Sequence, residues 1–190
     1  MESLQILGIA GSLREKSYNR SLLRVAEHLC PQEAIINIFE LNDIPLYNQD
    51  LESEMPKSVI ALKEEIRKSD GILFVTPEYS YSISGVLKNA IDWGFRPFGD
   101  NAWDGKIAAI MSASSGMLGG SRAQYHLRQI FIYNNIITFN KPEVIVPFVQ
   151  EKFDEEGNLT DEKTRHKIRE LLEALIEKIK QTPTNSAIKI

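Results

Sequence analysis

Three clusters of polar and glycine residues each follow a short apolar run, and each could bind part of a ligand. The first cluster holds Ser12, Arg14, Ser17 and Asn19, directly before a helical pattern. Hydroxyl and amide groups, a guanidinium and the free N–H groups of a helix start are suitable partners for an anion, so this cluster predicts a phosphate site. The alternative is that Ser17 or Asn19 only caps the helix. Neither the Walker spacing nor the GxGxxG dinucleotide motif is present.

The second cluster contains Pro77, Glu78, Tyr79 and Ser80. Its aromatic faces and hydroxyl groups suit a flat aromatic ligand, and a surface turn with a packed tyrosine is the alternative. Glu78 has no paired carboxylate or histidine in its loop, so we expect it to tether backbone or to be solvated. The third cluster, residues 112–121, places Ser114 among small residues that let backbone N–H groups approach a ligand closely. Alone, such a loop is usually a plain strand-to-helix connection.

The elements between these clusters alternate between strand and helix patterns. Short apolar runs predict strands at 4–10, 34–39, 71–76, 106–111 and 144–149. Apolar spacing of three and four predicts helices over parts of 22–29, 59–69, 86–91, 120–134 and 168–179. Because the strands read as buried on both faces, we expect a parallel sheet with helices on each side, an α/β fold. Ligands bind at the carboxyl ends of such strands, where the three clusters would meet. Residues 41–57 read as irregular, and 181–190 as a loose tail.

Composition narrows the class of protein. The 190 residues suit one domain spanning 1–190. There are 22 basic and 26 acidic residues, and this net charge of −4 argues against nucleic-acid binding by bulk charge. A single cysteine, Cys30, and three scattered histidines offer neither an internal disulfide nor a metal site. There is no signal-peptide pattern and no apolar stretch near the ~20 residues that span a membrane, so we expect a cytoplasmic protein without a membrane partner.

Two helices carry more apolar residues than one core-facing stripe requires. The segment 125–133 is apolar or aromatic on nearly every side, and Trp93 and Phe95 exceed the core stripe of their helix. Surplus apolar surface on neighbouring helices predicts a homo-oligomer, unless these side chains pack under the 94–105 loop of the same chain.

The three clusters, taken together and in order, resemble the NADPH-dependent FMN reductase family, which includes quinone, chromate and azo-dye reductases. The matching motifs are Gly11-Ser12-Leu13-Arg14-x-x-Ser17-x-Asn19, Pro77-Glu78-Tyr79-Ser80 and Leu87-Lys88-Asn89-Ala90-Ile91-Asp92-Trp93. The segment 119–129 also resembles the quinone/chromate reductase type. The resemblance covers residues 4–180 and implies a flavodoxin-like three-layer sandwich, with a five-stranded parallel sheet in the order 2-1-3-4-5.

The resemblance also implies a role for each cluster. The first would hold the FMN phosphate, the second would line the flavin ring, and Ser114 would approach its pyrimidine side. The flavin would carry the chemistry, so no catalytic side chain and no metal is expected. NADPH or NADH would donate hydride, and quinones, azo compounds, metal oxyanions or free flavin would accept electrons in a ping-pong cycle. The family usually has Asn at the position of Ser80 and Pro at that of Ser84.

The family further implies a homodimer or a homotetramer, with Arg122 and Tyr125 as candidates for the tetramer contact and Glu143 as the partner of Arg122. Two other interpretations remain open at this point. One is an electron-carrier flavodoxin without its own NAD(P)H site, although such carriers are more acidic than −4. The other is a flavin-free α/β protein with a regulatory or scaffold role.

Overall fold

The computed structural model describes residues 3–182, which alternate between strands and helices. The six strands are β1 (Leu4–Ala10), β2 (Ala34–Phe39), β3 (Gly71–Thr76), β4 (Ile107–Ala113), β5 (Ile137–Thr138) and β6 (Val144–Val146). The five α-helices are α1 (Tyr18–Leu29), α2 (Lys57–Lys68), α3 (Gly85–Phe95), α4 (Ser121–Asn134) and α5 (Glu162–Gln181). Two short 3₁₀ helices cover Gln49–Glu54 and Val149–Glu151. Most of the predicted tail, from residue 183 onward, lies outside the described residues.

Every strand pair is parallel, and the order along the sheet is β2-β1-β3-β4-β5, with β6 also paired to β4. The predicted α/β class and the predicted order 2-1-3-4-5 are confirmed. The register places Ala10 opposite Val75, and Val75 opposite Met111. The carboxyl ends of β1, β3 and β4 therefore lie side by side at one edge of the sheet.

The outermost strand differs from the prediction. A single fifth strand over 144–149 is wrong, because two short strands occupy that position: β5 pairs with the start of β4 and β6 with its end. Pro147 has no N–H with which to extend β6, and Phe148 turns the chain with a left-handed φ of 48°. The sheet therefore has six strands rather than five. At two residues, β5 is too short to produce a readable pattern.

Alternate strand residues supply two separate cores. Ile6, Val75 and Met111 belong to the core under α1 and α5. Phe74 and Ile110, which point the other way, belong to the core under α2, α3 and α4. Burial on both faces explains why the strands read as continuous apolar runs. Within 3–182, no helix is long and apolar enough to cross a bilayer.

Two buried side chains hold the loop that follows α3 in place. Trp103 is fully buried, and its indole N–H donates to the Ile91 carbonyl at 3.0 Å. The side chain of Lys63 is 2% exposed, and its ammonium binds the carbonyl and the carboxylate of Asp100. Burial lowers the pKa of Lys63, and Asp100 opposes that shift. These contacts hold the loop against α3 and α2.

One expectation about surplus apolar surface is wrong. Trp93 is fully buried, because the segment after β2 covers it: its indole N–H donates to the Pro45 carbonyl at 2.8 Å, and its ring meets Tyr47 edge-on at 5.0 Å. Trp93 therefore belongs to the core of this chain. Phe95 is partly buried and packs against Tyr133 at 5.1 Å.

Candidate functional site

One cavity of about 160 Å³ opens at the carboxyl edge, between the loops that follow β1, β3 and β4. Eight of the nine predicted binding residues line it. They are Ser12, Arg14, Ser17, Asn19, Pro77, Glu78, Tyr79 and Ser114. Ser80, the ninth, lies at an exposed turn and does not line the cavity. The topology thus brings together residues that are up to about a hundred positions apart in the sequence.

The loop after β1 offers hydrogen-bond donors to the cavity. Ser12 and Ser17 are both buried. The Ser17 hydroxyl accepts the Arg20 N–H at 3.5 Å as the N-cap of α1, and the Ser12 hydroxyl accepts the Arg14 N–H at 3.4 Å. Arg14 is exposed, and its guanidinium makes one long bond, to the Lys16 carbonyl at 3.4 Å. Arg14 lines the cavity, and within residues 3–182 most of its guanidinium N–H groups have no hydrogen-bond partner, so they can donate to an anion bound there.

Asn19 has a different role from its neighbours. Its side chain is buried, its amide N–H donates to the Ala113 carbonyl, and its amide oxygen accepts the Ala113 N–H, both at 3.0 Å. Both ends of the amide are therefore bonded to the last residue of β4. These two hydrogen bonds fix the start of α1 against the end of β4 and so position the loop between β1 and α1.

The loop after β3 forms a tight turn. Tyr79 and Ser82 exchange two backbone hydrogen bonds of 2.9 Å, and the two residues between them, Ser80 and Tyr81, have φ values of 50° and 66°. Positive φ at both central positions is the geometry of a type I′ turn, which favours Asn and Gly. Serine and tyrosine are strained there. The turn leaves Tyr79, which lines the cavity, 50% exposed and Tyr81 65% exposed.

Glu78 connects this turn to α4. One carboxylate oxygen accepts the backbone N–H groups of Arg122 and Ala123, at 3.1 and 3.3 Å. Helix α4 begins after Gly120, which has no side chain for capping, so Glu78 supplies the cap from another loop. The expectation that Glu78 tethers backbone is confirmed. The Arg122 guanidinium lies 3.8 Å from the second Glu78 oxygen and 3.9 Å from the centre of the Tyr81 ring.

The loop after β4 folds back closely onto the sheet. Gly119 and Gly120 have φ values of 58° and 88°, and a Cβ atom on Gly120 would lie 2.7 Å from that of Ser112. The Ser112 hydroxyl donates to the Gly119 carbonyl at 2.8 Å and accepts from the buried Gln124 amide at 2.9 Å. This packing leaves Ser114 at the cavity wall, where its hydroxyl donates to the Gly116 carbonyl at 3.3 Å.

Sequence reasoning missed part of the lining. Tyr18 and Val149 also face the cavity. Tyr18 sits within the first motif, and its aromatic type next to Ser17 was the available signal. Val149 belongs to the connection between β6 and α5, which follows none of the three strands considered, so no signal pointed to it.

The arrangement can bind a ligand with two different ends. One end of the cavity holds the donors and the cation of the β1–α1 loop, which suits a phosphate. The other end is walled by Pro77, Tyr79 and Ser114, which suits a planar body. Among the lining residues Glu78 is the one carboxylate, and it is already engaged by the N-terminus of α4.

Comparisons with known proteins agree with this geometry. The sequence profile of the NADPH-dependent FMN reductase family matches residues 4–151. The chain is 46% identical to an NAD(P)H-dependent FMN reductase from Pseudomonas aeruginosa, over 92% of this chain and 94% of the relative. It is 42% identical to a quinone reductase from Pseudomonas putida, over 90% and 89%. A flavoenzyme NAD(P)H:(acceptor) oxidoreductase from Paracoccus denitrificans superposes with a TM-score of 0.87 at 35% identity, covering 94% of this chain and 98% of that one.

Proposed function

Because the chain belongs to the NADPH-dependent FMN reductase family and is an FMN-dependent NAD(P)H oxidoreductase, we propose that the carboxyl-edge cavity is its flavin site. Ser12, Arg14 and Ser17 hold the FMN phosphate in this proposal. The ring lies against the wall of Pro77, Tyr79 and Ser114. The observation that carries the proposal is that one cavity joins a cationic, donor-rich end to an aromatic wall.

The residues present fit the cofactor. A phosphate monoester needs several N–H or O–H donors and a cation, which the first loop supplies. When bound, FMN supplies the redox chemistry, accepting hydride from the nicotinamide and passing electrons to an acceptor. The chain's own groups bind and orient. Arg14 anchors the phosphate, Asn19 fixes the spacing between the β1 and β4 loops, and Glu78 holds the ring-side turn against α4.

The acceptor in this proposal is a small quinone. The support is the high identity to a quinone reductase over nine-tenths of the chain, together with the exposed tyrosines that flank an open cavity. Azo compounds, metal oxyanions and free flavin are further acceptors to assay in the same way. An electron carrier without an NAD(P)H site would give a different result, because mixing it with NADPH would leave its flavin oxidised. Bleaching of the flavin absorbance by NADPH in a stopped-flow experiment therefore separates the two functions.

The sharpest test of the site compares two flavins. Arg14→Ala should weaken FMN binding by about tenfold to a hundredfold, since a charge-assisted phosphate contact contributes ~1.5–3 kcal/mol. Affinity for riboflavin, which lacks the phosphate, should stay unchanged. Arg24→Ala is the matched control, because Arg24 is another exposed arginine further along α1 and outside the cavity. Equal losses for both flavins in Arg14→Ala would contradict the assignment.

We also infer a homodimer that forms through an aromatic face of α3, α4 and the loop after α3. Phe98, Ile132 and Tyr133 are 70%, 81% and 69% exposed, which is unusual for such residues. Light scattering should give about 43 kDa, twice the 21.6 kDa of one chain. Ile132→Glu should shift it to the monomer, whereas a wild-type monomer with full activity would contradict the inference.

A homotetramer through Arg122, Tyr125 and Glu143 stays a prediction. Within one chain the Arg122 guanidinium lies 3.8 Å from a Glu78 oxygen, beyond hydrogen-bond distance. The proposal also places the protein in the cytoplasm, supported by its single free cysteine, Cys30, and by its use of a nicotinamide donor. Fractionation of cells that express the tagged chain tests this location.

A further inference from the structure

The electron donor, NADH or NADPH, brings negative charge to the side of the cavity where the flavin ring would lie. NADH carries a pyrophosphate and NADPH an additional 2′-phosphate, and the nicotinamide must reach the flavin beside the turn 77–82. The dinucleotide therefore has to pass over this rim, and a cation there would bind it. This geometry rests on the proposed function, because it assumes that the flavin ring lies against the wall of Pro77, Tyr79 and Ser114.

Few cations are available on that side. The connections 77–84 and 114–120 contain neither lysine nor arginine. The first turns of the two following helices contain one each, Lys88 in α3 and Arg122 in α4. Lys88 is already paired with both carboxylate oxygens of Asp92, at 2.7 Å. Arg122 is the remaining candidate.

Arg122 is held in position, and within residues 3–182 nothing accepts a hydrogen bond from its guanidinium. Its nearest carboxylate oxygen, on Glu78, is 3.8 Å from the guanidinium, which is too far for a hydrogen bond. That carboxylate is occupied by the backbone N–H groups of α4. The guanidinium stacks at 3.9 Å on the exposed Tyr81 ring, and its own side chain is 43% exposed. Stacking fixes the plane of the guanidinium while its N–H edge stays open to an anion.

The same rim offers a second polar group. His126 lies one turn further along α4, and its Nδ1 is 3.0 Å from the Ser82 hydroxyl. Ser82 closes the turn whose Tyr81 supports Arg122. The turn and the first two turns of α4 thus form one polar surface, which continues outward from the cavity-lining Glu78.

From this geometry we propose that Arg122 binds a phosphate group of the nicotinamide dinucleotide and so determines donor affinity. The phosphate is either the 2′-phosphate of NADPH or the pyrophosphate shared by both donors. Arg122 acts on binding of the donor. It takes no part in holding FMN or in reducing the acceptor.

The test separates the two half-reactions in Arg122→Leu loaded with FMN. Stopped-flow reduction by NADPH and by NADH gives the Kd of each donor, and mixing the reduced protein with a quinone gives the acceptor rate. We expect a rise of about tenfold in donor Kd, an unchanged acceptor rate and an unchanged FMN affinity. Arg122→Lys should recover part of the loss because it keeps the charge. Lys88→Leu, which removes a charge that is already paired, is the control and should leave both half-reactions unchanged.

The outcomes are distinct. A rise for NADPH alone assigns the 2′-phosphate, and equal rises for both donors assign the pyrophosphate. Unchanged Kd values for both donors would overturn the inference while leaving the proposed function intact. If Arg122→Leu has a smaller mass than the wild type by light scattering and both of its half-reactions are altered, the inference is also overturned. Arg122 would then be assigned to a subunit contact. Wild-type flavin that neither donor reduces would reject the proposed function, and the inference with it.

Discussion

Replacing Asn19 with leucine should reveal whether this residue binds phosphate or holds the protein scaffold. Leucine has the same number and branching of side-chain heavy atoms but cannot hydrogen-bond, so the N–H and C=O of Ala113 lose their partners in a buried place. Each unsatisfied group costs ~1–3 kcal/mol, so the free energy of unfolding should fall by about 2–6 kcal/mol. For a chain of this length each kcal/mol lowers Tm by about 2–4 °C, which gives a drop of roughly 4–24 °C.

The flavin-binding result should distinguish Asn19 from Arg14. Since the amide of Asn19 positions loops rather than facing the phosphate, Asn19→Leu should weaken FMN and riboflavin by the same factor. Arg14→Ala should weaken FMN alone. Calorimetric unfolding of the apoprotein and fluorescence titration with each flavin measure both quantities.

A matched asparagine serves as the control. Asn37 is exposed on β2, and its amide donates to the Gln5 side chain at 2.9 Å. Asn37→Leu should change the free energy of unfolding by less than about 0.5 kcal/mol. A normal Tm for Asn19→Leu, combined with a selective loss of FMN affinity, would show that the amide contacts phosphate and would refute the scaffold role.

Three further measurements address the turn, the last helix and the reaction order. Ser80→Gly should raise the free energy of unfolding by about 0.5–1 kcal/mol in urea denaturation, because glycine adopts the left-handed φ without strain; a decrease would count against strain there. Asp161 caps α5, and its pKa is lowered to about 2 by the Thr164 hydroxyl and the Lys152 ammonium. A carboxyl with a lowered pKa stabilises the fold above its usual pKa, so Asp161→Ala should cost about 1 kcal/mol at pH 7 and progressively less from pH 4 to pH 2. A cost that is independent of pH would contradict this. Initial velocities with NADPH and a quinone should give parallel double-reciprocal lines, as expected for donor and acceptor using one open site in turn, whereas intersecting lines would indicate separate sites.

Sequence patterns were sufficient for strands β1 to β4, for the order of the sheet and for most of the cavity lining. Strands buried on both faces produce unbroken apolar runs, and a parallel sheet then forces the loops after β1, β3 and β4 onto one edge. Those two facts bring Ser12 and Ser114 together although about a hundred residues separate them. The chemistry of each loop is local, so residue types alone predicted an anion at one loop and a planar group at another.

Features that depend on exact contacts could not be predicted. Asn19 looked like a phosphate ligand, because nothing in the sequence shows that its amide meets the end of β4. Trp93 looked like surplus surface, because its cover is the irregular segment around Pro45, which carries no periodic pattern. The division of the outer strand into β5 and β6 escaped detection because two- and three-residue strands give no readable alternation.

The cap that Glu78 provides to α4 limits how this scaffold can be rebuilt. The loop after β3 and the first turn of α4 share that carboxylate, so neither is an independent module. A chimera that imports the 77–84 loop without an acidic residue at position 78 would leave the start of α4 uncapped, since Gly120 offers no replacement. Loop exchange among relatives, in the laboratory or in evolution, must therefore transfer the turn and the helix start together.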